Sequence, residues 1–310
     1  MSANLKNSTK TLKLNDGSQI PIVGLGTWQA TDERDAYNAV RAALDAGYRH
    51  IDTAAIYKNE VQVGEAIRDS GVPREEIFVT TKLWNAQHHE PEVALDESLQ
   101  RLGLDYVDLY LMHWPVSLDK SYMKESPLEL MKRPDGTRPV ETDWTFINTW
   151  ELMQKLPKNK VRSIGVSNFS VNNLKDLLKA PTTNVVPTIN QVELHPLLPQ
   201  YELVDYCQQN KIEVEAYSPL GSTSAPLLSE PIVIDVAKKN GVQPAHVVLS
   251  WIVQRNIIVL PKSVHAERVA ANLKTFTLPE EDFDAIGKIS QQRGERRINN
   301  PNFEPFKTFV

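Results

Sequence analysis

The feature that most constrains this chain is a rhythm. Eight short β-branched or apolar runs are each followed by a stretch with helical apolar spacing. The runs cover residues 22–26, 48–52, 77–82, 107–112, 161–166, 186–190, 212–217 and 257–260. Between them lie patterns such as Ala36-Ala39-Val40-Ala43-Leu44, closed by Gly47, and Val93-Leu95-Leu99-Leu102, closed by Gly103. A strand followed by a helix returns to its sheet as a parallel neighbour through a right-handed crossover. Eight such units in one chain predict a closed (β/α)8 barrel of the TIM type, occupying residues 1–310 as one domain. Asn15-Asp16-Gly17, ahead of the first run, predicts an N-terminal β-hairpin.

Three irregular stretches interrupt the rhythm, at 114–142, 219–230 and in the tail 293–310. Long loops in a compact domain are usually functional, and barrels carry their sites at the C-terminal ends of the strands, where these loops belong. Polar residues collect at those same ends: Asp52, Lys82, His113, Ser167, Asn168, Gln191, Tyr217 and Lys262. Strand cores inside a barrel should be apolar, so this concentration reads as a site.

Composition removes several alternatives. The formal net charge is -5 and no dense basic stretch occurs beyond Arg293, Arg296 and Arg297, so no nucleic-acid partner is expected. No run approaches the ~18 apolar residues of a membrane span, and the polar first ten residues do not resemble a secretion signal. Cys207 is the only cysteine, which excludes an intrachain disulfide and makes the cytoplasm the expected compartment. Neither the seven histidines nor Cys207 shows a metal-ligand spacing, so no metal is expected. Gly24-Leu25-Gly26 lacks the third glycine of a dinucleotide fingerprint, which leaves a Rossmann domain without support.

Specific motifs go further. Gly47-Tyr48-Arg49-His50-Ile51-Asp52-Thr53-Ala54 is followed by Tyr57, Asn59-Glu60 and Val63-Gly64. Leu109-Tyr110-Leu111-Met112-His113-Trp114-Pro115 forms a second block, and Leu260-Pro261-Lys262-Ser263 with Arg268 and Asn272 a third. Together with Ile164-Gly165-Val166-Ser167-Asn168-Phe169, their order and spacing resemble the aldo-keto reductase superfamily over essentially the whole chain. Asn190-Gln191-Val192-Glu193-Leu194-His195-Pro196 and Ala216-Tyr217-Ser218-Pro219-Leu220-Gly221-Ser222 place the resemblance nearest the fungal glycerol-dehydrogenase-like and aldose-reductase-like branch.

The resemblance implies NADPH-dependent reduction of aldehydes and ketones over a broad substrate range by a monomer, with a catalytic tetrad of Asp52, Tyr57, Lys82 and His113. A hydride arriving on a carbonyl carbon leaves an alkoxide that needs a proton, and Tyr57 would supply it. A free phenol titrates near about 10, too weak an acid unless nearby positive charge favours its ionised form. Lys82 would bring that charge, Asp52 would hold Lys82, and a neutral His113 would donate a hydrogen bond to the substrate oxygen. Singly, these residues have plainer readings: an N-cap, a partly buried aromatic, a solvated lysine, a satisfied barrel histidine. Their joint occurrence at strand ends, in the family's order, favours chemistry.

By the same resemblance Ser167, Asn168 and Gln191 hold the nicotinamide carboxamide of NADPH/NADP+ and Tyr217 stacks on its ring. Ser218, Leu220 and Ser222 meet the pyrophosphate, Lys262, Ser263 and Arg268 grip the 2′-phosphate, and Asn272 the adenine, with Thr27, Trp28 and Val264 completing the set. A lysine charge and an arginine fork suit a dianionic phosphate that NADH lacks. Trp28, Trp84 and Trp114 would wall an apolar substrate pocket, with Asn85 and Asn299 as polar contacts. The segment from Ile298 to Phe306, with two prolines and two aromatics, reads as an ordered flap outside the core, whose removal should change specificity and not stability. Three positions depart from the family: Ala271 replaces a glutamate, Gln29 a lysine, and Pro157-Lys158-Asn159-Lys160 lacks a glycine whose left-handed turn Asn159 is expected to adopt. A nucleotide-sensing regulatory subunit and a phosphate-sugar isomerase are the competing functions; the first predicts cofactor binding without turnover, the second activity without NADPH.

Overall fold

The computed structural model describes residues 3–30, 32, 34–123 and 125–310. Eight parallel strands stand in sequential order in one sheet. We number these barrel strands β1 (Leu25–Gly26), β2 (His50–Asp52), β3 (Phe78–Leu83), β4 (Val107–Met112), β5 (Val161–Ser167), β6 (Ile189–Glu193), β7 (Glu213–Tyr217) and β8 (Ile258–Leu260). The circle is completed between β8 and the residues leading into β1, where Val259 N donates to Ile22 O and Gly24 N to Val259 O at 2.8 and 2.9 Å. Strands β3 and β4 are buried at every residue, as expected of strands covered by side chains inside and helices outside.

The helices bury the faces their spacing predicts, with Val93 the exception. Helix α1 (Asp35–Ala46) buries Ala36, Ala39, Val40, Ala43 and Leu44, and Gly47 ends it at φ 105°, a conformation that favours glycine. In α3 (Pro91–Leu102) the buried stripe includes Leu95, Leu99 and Leu102, whereas Val93 is 51% exposed; it lies on the opposite side of the turn. Between these lies α2 (Glu60–Asp69), which meets α3 backbone to side: a Cβ on Gly64 would lie 1.7 Å from Leu102 O. The N-terminal hairpin pairs Thr11–Lys13 with Gln19–Pro21 around Gly17, as the turn residues imply.

Several sequence expectations need correction. The sixth strand lies at Ile189–Glu193, not 186–190. Val185 and Val186 are more than a third exposed, because here the chain has not yet entered the barrel wall, while the polar Asn190, Gln191 and Glu193 are buried in it. The supposedly irregular stretch 114–142 begins with Val116–Leu118, which pairs antiparallel with Val140–Thr145. Asn159 has no left-handed φ. Nor does the tail lie wholly outside the packed interior: Phe303 is 2% exposed in a cluster with Ile56, Trp84 and Val116, against which Trp114 packs. No helix among the described residues is long and apolar enough to cross a membrane.

Candidate active site

Strand ends deliver the polar residues to one place because in-register parallel strands finish at the same level. Gly26 pairs with Asp52, Asp52 with Thr80, Ser167 with Gln191, and Glu193 with Tyr217. Above them opens a cavity of about 960 Å³, reaching from Trp84 and Trp114 to Arg268 and Asn272.

At its floor Lys82 is fully buried. Its Nζ donates to both Asp52 oxygens at 2.7 and 2.9 Å, to Thr53 O at 2.9 Å and to Tyr57 Oη at 3.3 Å. A bidentate ammonium plus Gln191 Nε2, 2.8 Å from Asp52 Oδ2, leaves the Asp52 carboxyl only as an acceptor. Because Tyr57 Oη accepts from Lys82, its own proton is free to point into the cavity. The His113 ring lies edge-on to that of Tyr57, centroids 5.8 Å apart, and edge-on to that of Trp84 at 5.6 Å. Burial and the Lys82 charge hold His113 well below the usual histidine range, so it is neutral at physiological pH.

Tyr57 behaves differently from the sequence expectation. Burial pushes its phenol up, and Lys82 offsets this only in part because Asp52 acts in the opposite sense. The local field belongs to an ion pair, not to a lone cation. Burial also lowers Lys82, but Asp52 and Tyr57 more than reverse that, and the ammonium stays charged.

Beside this floor, Asn168 takes a left-handed φ of 64°, which asparagine tolerates better than most residues. Its side chain is fixed from both ends: Nδ2 donates to His113 O at 2.9 Å, and Tyr217 Oη donates to Oδ1 at 2.7 Å. Ser167 Oγ donates to Gln191 O, and Thr27 Oγ1 to Asp52 O. Farther along, Ser218 and Ser222 are also left-handed, turning the chain along the cavity wall. Lys262 and Arg268 are exposed at the far end, with Ser263 and Asn272 buried beside them.

All residues named for cofactor or substrate line the cavity except Asn85, which is fully buried away from it. Lys82 lies beneath the cavity rather than on its surface. Asn299 lines it, but its Nδ2 is already engaged with Glu193 Oε2 at 3.0 Å. The sequence reading missed three fully buried polar residues, His50, Glu193 and Glu215. The signal was present: a charged residue inside a strand of otherwise barrel-facing character is rarely left without a partner. His195, also buried, is the partner of Glu193 at 2.9 Å.

The profile of the Aldo/keto reductase family matches residues 22–291. The chain is 64% identical to glycerol 2-dehydrogenase (NADP(+)) of Saccharomyces cerevisiae and 55% identical to aldehyde reductase YPR1 of the same yeast, each over 100% of both chains. Among solved structures, the aldose reductase of Schistosoma japonicum superposes with a TM-score of 0.82 at 34% identity, covering 93% of this chain and 98% of that one. With the motifs, the barrel and full-length relatives in agreement, the chain belongs to the aldo/keto reductase family.

Proposed function

We propose that the chain is an NADP-dependent oxidoreductase that reduces aldehydes and ketones to alcohols, with Tyr57 as general acid. The observation that carries this is the convergence of the Lys82 ammonium on Tyr57 Oη and Asp52, beside a neutral His113, on the floor of a long cavity. The cavity suits a dinucleotide: its far end offers Lys262, Ser263 and Arg268 to an extra phosphate, and its near end offers amide and hydroxyl groups. The name of the yeast glycerol 2-dehydrogenase carries the same cofactor. When bound, the reduced nicotinamide supplies the hydride.

The chain's own residues do the rest. His113 orients the carbonyl oxygen by a hydrogen bond, and Tyr57 hands over its proton as charge develops there. Lys82, hydrogen-bonded to Tyr57 Oη, stabilises the phenolate that this transfer leaves, and Asp52 fixes Lys82. Trp28, Trp84 and Trp114 exclude water around the reacting carbon. The varied apolar walls favour a broad substrate range. A reducing compartment fits a single, buried cysteine.

The test is NADPH consumption across a panel of aldehydes, ketones, sugars and dihydroxyacetone. Tyr57→Phe should lose at least ~100-fold in the chemical step while still binding NADPH, the usual contribution of a positioned acid. A variant keeping more than about a tenth of the parent's chemical rate would remove Tyr57 from that role.

A further inference from the structure

Beneath the Asp52–Lys82 pair the barrel holds a second acid, Glu215 on β7, and an imidazole, His50 on β2, both fully buried. Gln191 on β6 links the two acids, its Nε2 donating at 2.8 Å to Asp52 Oδ2 and at 2.7 Å to Glu215 Oε2. Those two carboxyl oxygens are therefore acceptors. His50 Nδ1 lies 3.1 Å from Pro21 O, which can only accept, so Nδ1 carries the ring proton and Nε2 presents a lone pair. Nε2 stands 3.4 Å from Glu215 Oε1, and neither atom has a hydrogen-bond partner elsewhere among the described residues. Gly24 makes room for the ring: a Cβ there would come within 2.6 Å of His50 Nδ1. Two bare lone pairs facing each other in a dry interior would repel, whereas one proton between them satisfies both.

We propose that Glu215 is a positioning residue for the reduction, holding a proton against His50 so that Asp52 remains the only anion beneath Lys82 and Tyr57. This rests on the function proposed above. The titratable groups facing Glu215 are His50 and Asp52 from β2, Lys82 from β3 and Tyr57 from the turn after β2. Strand β6 contributes the uncharged Gln191, and β8 runs alongside with Ile258 in register. Burial, reinforced by the Asp52 charge, pushes the Glu215 carboxyl up to about 8, and burial lowers His50 to about 4, so the pair keeps one shared proton at neutral pH. Losing that proton adds a second anion to the cluster, raises Tyr57 further and weakens it as an acid. The single-turnover rate of reduction should therefore fall on the alkaline side as Glu215 ionises.

Glu215→Gln fixes the position as neutral while still accepting from Gln191 and donating to His50. It should move that alkaline limb upward by about one pH unit or more. Glu215→Leu, which leaves both neighbours unpartnered, should lose rate at every pH, so rescue by glutamine separates charge from packing. His50→Leu removes the proton's acceptor and should shift the limb to lower pH. Infrared spectroscopy of the parent without substrate should show the carbonyl stretch of a protonated carboxyl group at neutral pH. That band should disappear as pH rises and shift in His50→Leu. The infrared measurement stands whether or not the chain reduces carbonyls, and it decides the matter if Glu215→Gln fails to fold. A parent lacking the band at neutral pH, or a folded Glu215→Gln with an unmoved limb, overturns the proposal.

Discussion

Replacing Glu193 with glutamine should release the tail from the barrel mouth. The fully buried carboxylate accepts from His195 Nε2 at 2.9 Å and Ile298 N at 2.8 Å on Oε1, and from Asn299 N at 2.6 Å and Asn299 Nδ2 at 3.0 Å on Oε2. Glutamine keeps one oxygen and turns the other into a donor facing donors. Two bonds to a charged acceptor are lost, worth about 1.5–3 kcal/mol each, and hydration of the freed groups brings the net toward about 3 kcal/mol. That corresponds to about a hundredfold loss of hydrogen-exchange protection at the Ile298 and Asn299 amides. Mass spectrometry of exchange would measure it, and trypsin should cut faster after Arg296 and Arg297. Burial pushes the Glu193 carboxyl up, but His195 and the two tail amides more than offset it, and the folded value lies below the ordinary one. The anchoring is therefore complete above the unfolded value of about 4.3 and lost as pH falls through the lower folded value, a step the glutamine variant should lack. Equal protection of both amides in variant and parent would refute this account and assign the tail's order to Phe303 packing alone.

Arg268→Ala should raise the Michaelis constant for NADPH and narrow a preference over NADH of about a hundredfold, the value of two modest charge-assisted bonds; equal use of both cofactors by the parent would contradict the 2′-phosphate assignment. Deleting 299–310 should cost more efficiency with bulky carbonyls than with a small aldehyde, and should also lower the melting temperature, because Phe303 is buried and Glu193 loses its Asn299 donors. An unchanged melting temperature would restore the view of the tail as a mere cover. Gly64→Ala should destabilise by about 3 kcal/mol or more in urea titration, since the new Cβ would fall 1.7 Å from Leu102 O; an unmoved midpoint would mean that α2 can slide along α3.

The barrel was legible because its signal is local. Alternation of apolar runs with helical spacing, punctuated by Gly47 and Gly103, reflects backbone periodicities that hold before any contact forms. The same reading erred where polarity followed location. The expected sixth strand, 186–190, starts three residues early because Val186 looks like a strand residue, and it stops short of Gln191 and Glu193, which are buried in the strand but do not. Val140–Thr145 was missed because its side chains are largely exposed and polar.

The four residues proposed for catalysis and the cavity residues could be named from motifs, since most of them stand at or just beyond strand ends, whose places follow from the order of the units. Which groups they meet could not. That the action of Lys82 on Tyr57 is opposed in part by Asp52, that Gln191 links Asp52 to Glu215, and that Glu193 holds a tail 105 and 106 residues farther along the chain depend on strands brought level by register. Sequence by itself determined the barrel and the candidates for its chemistry, because periodicity and residue type are properties of the chain. Only the tertiary structure decided their protonation and partners, because charge and hydrogen bonding in a dry interior depend on distances of a few ångströms between residues far apart in sequence.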